Sequence, residues 1–343
     1  MTYPLLRLAT SKDMKALWEI WMQPHVLQYM SFEKMSFAKF KLFYKKLSTS
    51  SQIYLLVDKI KNKEIIVAVN RLIFEKGNRS HIAGYYSTAV HKDYLGKGYG
   101  AKLYDLCFKL IKKKKHIKRI EFTQSEGNMA AFGLAERQGF TVEAIFPGWL
   151  YRKDHVLYER FVSRILDKKI LNPVHLAFDH IAPSLKSNNK PLPIKYKIIR
   201  GTAVLKHIAF LTIPPQNIKD LNRAADYMRK ISLKLYKSDI KKIEIFTHDP
   251  VVIKLLQLLG YFYRGEKLAS IKIGEAYFNE TAADFSFFNL DDAKKFIKSK
   301  KLHPLLDDYK KAIAQELKAG IIDQYTACYD EYKAYQLLLE ANA

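Results

Sequence analysis

The stretch from His81 to Lys115, HIAGYYSTAVHKDYLGKGYGAKLYDLCFKLIKKKK, restricts the fold more than any other part of the chain. A β-rich run leads into three of the 14 glycines of the chain, Gly96, Gly98 and Gly100, at alternate positions. A helical pattern follows, with Leu103, Leu106, Cys107 and Leu110 on one stripe. A strand that passes through such a turn into a helix leaves backbone N–H groups unpaired at the positive end of the helix dipole, which suits a phosphate. Glycines let that backbone take unusual dihedrals and approach an anion without an intervening Cβ. Lys97 and Lys102 add charge at the same rim. No GxxxxGK[ST] can be laid over the stretch, and the strand before it leaves a hairpin instead of opening a βαβ unit. Walker and dinucleotide-binding loops are therefore excluded.

The flanking elements extend this into a layer. Residues 5–10 suit a strand, and Thr10 or Ser11 caps an amphipathic helix in DMKALWEIW. FAKFKLFYKKLS is a second helical pattern, and residues 53–58, 64–74 and 81–90 are strands, the last two joined by the turn EKGNRS. After the glycines and their helix come a strand at 118–123 and a helix at 128–138, with Gly139 at its C′ position. The order β-α-α-β-β-β-α-β-α-β describes an α/β layer with a mixed, mostly antiparallel sheet.

Taken together, these residues resemble the GNAT superfamily of acyl-CoA-dependent N-acetyltransferases. The family's Arg/Gln-x-x-Gly-x-Gly/Ala loop is matched at its two small positions by Gly98 and Gly100, with Leu95 at its first. Its Asn-x-x-Ala helix ending in Gly-Phe is matched by Asn128, Ala131, Gly139 and Phe140. The resemblance covers roughly residues 3–160. It implies a GNAT-like fold, acetyl-CoA as co-substrate, and direct attack of a neutral amine on the thioester in a ternary complex. It further implies that backbone groups of Ala89 and Val90 pair with the pantetheine arm. Amides from Gly96 through Lys97, Gly98, Tyr99 and Gly100 to Ala101 hold the pyrophosphate, the Lys97 side chain lies near the phosphates, Asn128 contacts the pantetheine or a water, and Phe132 lines the cleft.

The sequence departs from the family at three positions. Leu95 replaces the usual Arg or Gln; Tyr85 stands where many members place a catalytic Glu; Ala135 stands where many carry the Tyr that protonates the leaving thiolate. Three residues are left as candidates for proton transfer. Glu126 follows a strand end beside Asn128 and reads either as a base or as a helix cap. His81 has a suitable pKa range, yet a His that opens a strand after a turn also reads as plain surface. Tyr85 either relays a proton through water or packs. Positioning of the nucleophile alone supplies much of the rate in such chemistry.

Residues 166–194 carry a proline-rich stretch with SNN and are expected to link a domain at 1–165 to a second at 195–343. The second half echoes the first. IKRIEFT (117–123) returns as IKKIEIFT (240–247), HIAGYYSTAV as HIAFLTIPP, and the helix ending in Gly139-Phe140 as one ending in Gly260-Tyr261. A duplicated fold with extra C-terminal helices from about 291 follows. The copy has KDLNRAAD where the first half has LGKGYG, and Asp249 near the place of Asn128, so it is expected to have lost the phosphate site.

Two cysteines far apart, Cys107 and Cys328, and no Cys/His cluster argue for a reducing, cytoplasmic setting without a structural metal. No run of eighteen apolar residues and no secretory h-region is present, so no membrane span is expected. Net charge is +24, with 29 basic against 14 acidic residues in 1–165 and 29 against 20 in the remainder. Both halves therefore attract polyanions such as RNA or the ribosome, although Lys112–Lys115 at a helix C-terminus also simply satisfies the dipole. The aromatic stretch 24–37 is where the family builds its acceptor pocket. An N-acetyltransferase acting on an unidentified primary amine is the leading expectation; the competing one is a CoA-binding pseudoenzyme or interaction protein.

Overall fold

The computed structural model describes residues 4–125, 127–151, 156–171, 196–200, 205–214, 218, 221–238, 240–259 and 261–286. The chain divides into two compact units that do not follow a single cut in the sequence. The first comprises Met1–Thr141, Phe161–Ile170 and Lys272–Ala276; the second comprises Val142–Arg160, Leu171–Ile271 and the described residues from Tyr277. The C-terminal helices expected from about residue 291 lie outside the described residues.

In the first unit, strands β1 (Leu5–Leu8), β2 (Gln52–Ile60), β3 (Lys63–Phe74), β4 (Ile82–Val90) and β5 (Arg119–Ser125) lie side by side in that order. All pairs are antiparallel except β4 with β5, which is parallel. Helix α1 (Met14–Trp21) is launched where sequence chemistry placed it. Thr10 donates its N–H and its hydroxyl to Asp13 Oδ2 at 2.7 and 2.9 Å, and the Arg7 guanidinium grips the same carboxylate at 2.8 and 2.7 Å. A short helix α2 (Pro24–Leu27), which the sequence patterns did not reveal, precedes α3 (Phe37–Ser50).

The period-2 alternation of β3 sorts the two faces of this sheet. Val69 joins Leu17, Ile20, Trp21, Phe40 and Leu55 in a core beneath α1 and α3, while its neighbour Asn70 reaches Cys107 on α4 (Tyr99–Lys112). The buried stripe of α4 is Leu103, Tyr104, Cys107, Phe108 and Ile111, so Leu106 and Leu110, expected inside, are only half-buried. Aromatic rings decide this: Tyr104 and Phe108 stack on Tyr85 at 5.0 and 6.0 Å, which turns the helix toward its bulkiest residues. Helix α5 (Met129–Arg137) ends at Gly139, whose φ of +72° fits the C′ position expected for it.

In the second unit, strands β6 (Thr141–Tyr151), β11 (Phe262–Ile273), β12 (Ala276–Ser286), β10 (Lys242–Thr247), β9 (Ile208–Thr212) and β8 (Lys197–Arg200) are neighbours in that order, and β7 (Val156–Ile165) lies next to β6. Helices α6 (Leu221–Tyr236) and α7 (Pro250–Leu259) pack on one face over Ala209, Leu211, Ile243, Ile245 and Ala283. On the other face of β10, Lys242 Nζ lies 2.8 Å from Glu244 Oε1 and 2.7 Å from Asp284 Oδ2, and Arg264 Nε lies 2.8 Å from Asp284 Oδ2, all four side chains buried.

Several local bonds recur between the units. The His81 carbonyl accepts from the N–H groups of Lys118 and Arg119 at 2.8 and 3.2 Å, and the His207 carbonyl accepts from those of Lys241 and Lys242 at 2.9 and 3.2 Å. Ile82 pairs with Arg119 in the parallel ladder of the first unit, and Ile208 with Lys242 in that of the second. The Phe140 N–H bonds the Ala135 carbonyl at 3.1 Å, and the Tyr261 N–H bonds that of Leu256 at 3.0 Å.

Candidate active site

Strands β4 and β5 pair only at Ile82–Arg119, Ala83–Ile120 and Gly84–Glu121. Beyond Gly84 the two strands part, and the edge of β4 from Tyr85 to Val90 is open on the β5 side. On its other side β4 stays paired with β3 as far as Val90, with a bulge opposite Asn70 in which Ser87 takes a φ of +53°. Thr88 Oγ1 in the bulge donates to the fully buried Asn70 Oδ1 at 2.8 Å, a bond that holds the distortion in place.

The open edge runs into the glycine loop. A 3₁₀ turn, Lys92–Tyr94, is followed by Gly96 at φ +73° and by Gly98 at φ +77°, and Gly98 is the N-cap of α4. Left-handed φ at both positions explains these two glycines directly. Among the described residues, the N–H groups of 96–101 have no acceptor, and they lie at the positive end of a fourteen-residue helix. Gly100 differs, because its φ is ordinary and a Cβ there would meet only Val90 Cγ2 at 3.7 Å and Leu134 Cδ2 at 3.8 Å.

Two side chains of the loop have polar partners. Tyr99 Oη donates to Asp58 Oδ2 at 2.5 Å, and this bond to a carboxylate pushes the phenol up to about 12. Lys97 Nζ donates to the Asp93 carbonyl at 2.9 Å and sits 5.1 Å from the Tyr94 ring centroid. Leu95 is exposed at 50%. Asn128 caps α5, its Oδ1 accepting from the Ala131 N–H at 3.2 Å, while Phe132 and Ala101 are half-buried.

The segment from Trp21 to Tyr29 is fastened to both parting strands. Trp21 Nε1 donates to the Ser87 carbonyl at 2.9 Å, the Lys92 N–H donates to Gln23 Oε1 at 2.9 Å, and His25 Nε2 lies 3.1 Å from the Val90 carbonyl. At β5, Ser125 Oγ donates to the Tyr29 carbonyl at 3.2 Å, and Tyr29 Oη donates to the Gly127 carbonyl at 3.1 Å. Sequence reasoning marked 24–37 only as an aromatic-rich stretch and singled out neither His25 nor Tyr29. No periodicity points to them, because both act through single bonds to a backbone far away in sequence.

The three residues considered for proton transfer fall apart. Glu126 lies outside the described residues. Tyr85 is 1% exposed, wedged among Tyr104, Phe108 and Phe122, with its hydroxyl 3.3 Å from the Tyr104 carbonyl. Burial pushes that phenol well above its ordinary range, which leaves packing as the observed role. His81, read as surface, is instead 3% exposed and precedes β4, at the opposite end of the strand from the glycine loop. Its carbonyl accepts from the N–H groups of Lys118 and Arg119 at the start of β5. Ala135 is buried in the body of α5.

Among the described residues, the second unit shows no such open edge. Its parallel ladder continues through Ile245–Leu211, leaving only Thr212 of β9 beyond the last pair, and Pro214 follows with no N–H to offer. Asp249 caps α7 as Asn128 caps α5, with Oδ1 accepting from Val252 N–H at 3.2 Å.

Residues 14–140 match the model of the acetyltransferase (GNAT) family. No curated protein shows a significant match. Among solved structures, a putative phosphinothricin N-acetyltransferase is similar at 19% identity and TM-score 0.41, covering 48% of this chain and 98% of its own. The spermidine N-acetyltransferase from Vibrio cholerae, solved with CoA and spermine, is similar at 16% identity and TM-score 0.43, covering 47% of this chain and 95% of its own. A putative acetyltransferase from Salmonella typhimurium, solved with acetyl-CoA, is similar at 18% identity and TM-score 0.39, covering 48% and 95%.

Proposed function

We propose, from the premise that residues 14–140 are a domain of the acetyltransferase (GNAT) family, that the first unit transfers an acetyl group from acetyl-CoA to a primary amine. The observation that carries this reading is the continuity of the open β4 edge with the unpaired N–H groups of 96–101. An extended amide-bearing arm adds to such an edge as a strand would, and a pyrophosphate at its far end meets the helix N-terminus. The amine nitrogen attacks the thioester carbon, the C–S bond breaks, the sulfur leaves with its electron pair, and the amine gives up a proton. Backbone donors on the open edge are suited to hold the developing oxyanion.

On this reading His25, on the Val90 carbonyl, takes over from Tyr85 and His81 as the candidate proton acceptor. It is half-buried, and an imidazole is the side chain most often used for general acid–base catalysis. The segment 21–29, anchored on both strands, forms one wall of the acceptor site. The recurrence of the His81 and Asn128 bonds at His207 and Asp249 supports a duplicated fold, with 1–165 as the catalytic domain and 195–343 as a copy that shows no cofactor edge among its described residues. A reducing, cytoplasmic setting accords with the buried free thiol of Cys107, which burial pushes up to about 11.

Calorimetric titration of the full chain with acetyl-CoA, beside Gly98→Glu, tests the reading. About one equivalent per chain is expected, lost in the variant because a carboxylate replaces the anion's place. Two equivalents would return a site to the second unit, and no binding at millimolar acetyl-CoA would refute the reading. The placement of Tyr85 in the core and of Ala135 within α5 favours one alternative, a CoA-binding protein without turnover. Binding without thiol release against a panel of amines identifies that case.

A further inference from the structure

At the opposite end of α4 from the glycine loop, the first unit contains a cleft of about 600 Å³. Four cations line it, Lys112, Lys115, Lys118 and Arg164, against one carboxylate, Asp167. Two segments remote in sequence supply them: the end of α4 with its following turn, and the end of β7. The carboxylate is already engaged, since Lys118 Nζ lies 2.8 Å from Asp167 Oδ2. Arg164 is held with its guanidinium 5.0 Å from the Phe108 ring centroid and one nitrogen on the Gln138 carbonyl, which uses part of its five donors. Lys112 and Lys115 are exposed.

The helix dipole accounts for one or two lysines at the C-terminus of α4. It does not account for Arg164, which comes from a strand and enters the same concavity. We infer that this cleft binds the phosphodiester backbone of RNA, as a site separate from the acyl-CoA edge and independent of whether that edge is catalytic. The chemistry favours a nucleic-acid backbone over an acidic peptide. A planar guanidinium fork beside point-charge ammonium groups matches successive phosphates, and the apolar lining is limited to Ile117, Ile165 and Leu166, of which Ile117 is buried. A peptide would need apolar or aromatic pockets for anchorage that this lining does not supply. The surplus of +15 in residues 1–165 extends the attraction beyond the cleft, as a long polyanion requires.

The test is fluorescence polarisation of a short labelled single-stranded RNA with the full chain across a salt series. Variants are Lys112→Gln/Lys115→Gln and, as a control of equal charge change, Lys45→Gln/Lys46→Gln on the exposed side of α3. Removing two phosphate contacts is expected to weaken binding about tenfold near 0.1 M salt and to flatten the log–log salt slope by about 1 to 1.4. The control is expected to change both by much less. Acetyl-CoA calorimetry on the same variants should match the parent, which checks folding without relying on RNA. No RNA binding at low salt, or equal losses in both double variants, would overturn the inference. So would displacement of RNA by poly-glutamate or tripolyphosphate at equal charge concentration, since the cleft would then take any small or peptidic anion.

Discussion

At Gly265 the backbone takes φ +136°, and a Cβ there would run into the Glu143 carbonyl and the Ala144 Cα across the bridge between β6 and β11. Gly100 has an ordinary φ and room for a methyl group. Gly265→Ala is therefore expected to destabilise the second unit by more than about 2 kcal/mol, since strain and overlap act together. Gly100→Ala should leave folding unchanged or up to about 1 kcal/mol more stable through helix propensity, with acetyl-CoA still bound. Urea denaturation of the two variants separates the cases. Nothing in the sequence around either glycine separates the two cases. Backbone conformation at Gly98 was legible because a glycine at a strand-to-helix turn has a local cause. The clash at Gly265 was not, since its partner lies 121 residues away at Ala144. Tyr85 and His81 illustrate the same limit: their residue types suggested proton chemistry, and their surroundings, set by distant chain segments, made them core.

Among the elements, the two capped helices allow a matched comparison. Asn128 and Asp249 each accept a backbone N–H of the first turn, of α5 and α7 respectively, at 3.2 Å. Substitution of either by Ala is expected to cost about 1 kcal/mol in chemical denaturation. Only Asn128→Ala should also weaken acetyl-CoA in calorimetry, because among the described residues the open strand edge lies beside the cap of the first unit alone. Equal loss of acetyl-CoA binding in both variants would contradict the assignment of the site to the first unit. The spacing of Asn, Ala and Gly-Phe made the capped helix readable, as these are bonds within a dozen residues. The parting of β4 from β5 was not readable from residue patterns, because strand pairing depends on where the two chains lie after folding. The helix stripe of α4 was partly read, and the error was one of rotation: aliphatic spacing was followed where Tyr104 and Phe108 decided the face.

For the whole molecule, two buried carboxylates give the units opposite responses to pH. The Arg7 hydrogen bond holds Asp13 down to about 2 from 3.8. That stabilisation is complete above pH 3.8 and is lost as pH falls toward 2, because the unfolded state then binds the proton first. Burial pushes Glu244 up from 4.5 to about 8, outweighing the attraction of Lys242. The folded state therefore keeps a proton that the unfolded state releases, and the contribution present below pH 4.5 is lost as pH rises toward 8. Urea midpoints of the second unit, followed by proteolysis of its fragments, should fall across that range, and Glu244→Gln should flatten the fall. Arg7→Ala should flatten the acid limb of the first unit.

The amino-acid sequence by itself determined the order of β1 to β5 with α1, α3, α4 and α5, the caps at Thr10 and Gly139, the glycine turn with its unpaired N–H groups, and the positive charge of both halves. Each of these rests on dihedrals, short-range hydrogen bonds or simple counting, which need no knowledge of distant neighbours. Only the tertiary structure decided that β4 leaves β5 after three pairs, that His25 reaches the open edge of β4 while Tyr29 bonds the Gly127 carbonyl just past β5, and that Arg164 joins Lys112 and Lys115 in one cleft. Those features are pairings between residues some tens of positions apart, and burial and contact are properties of the packed chain.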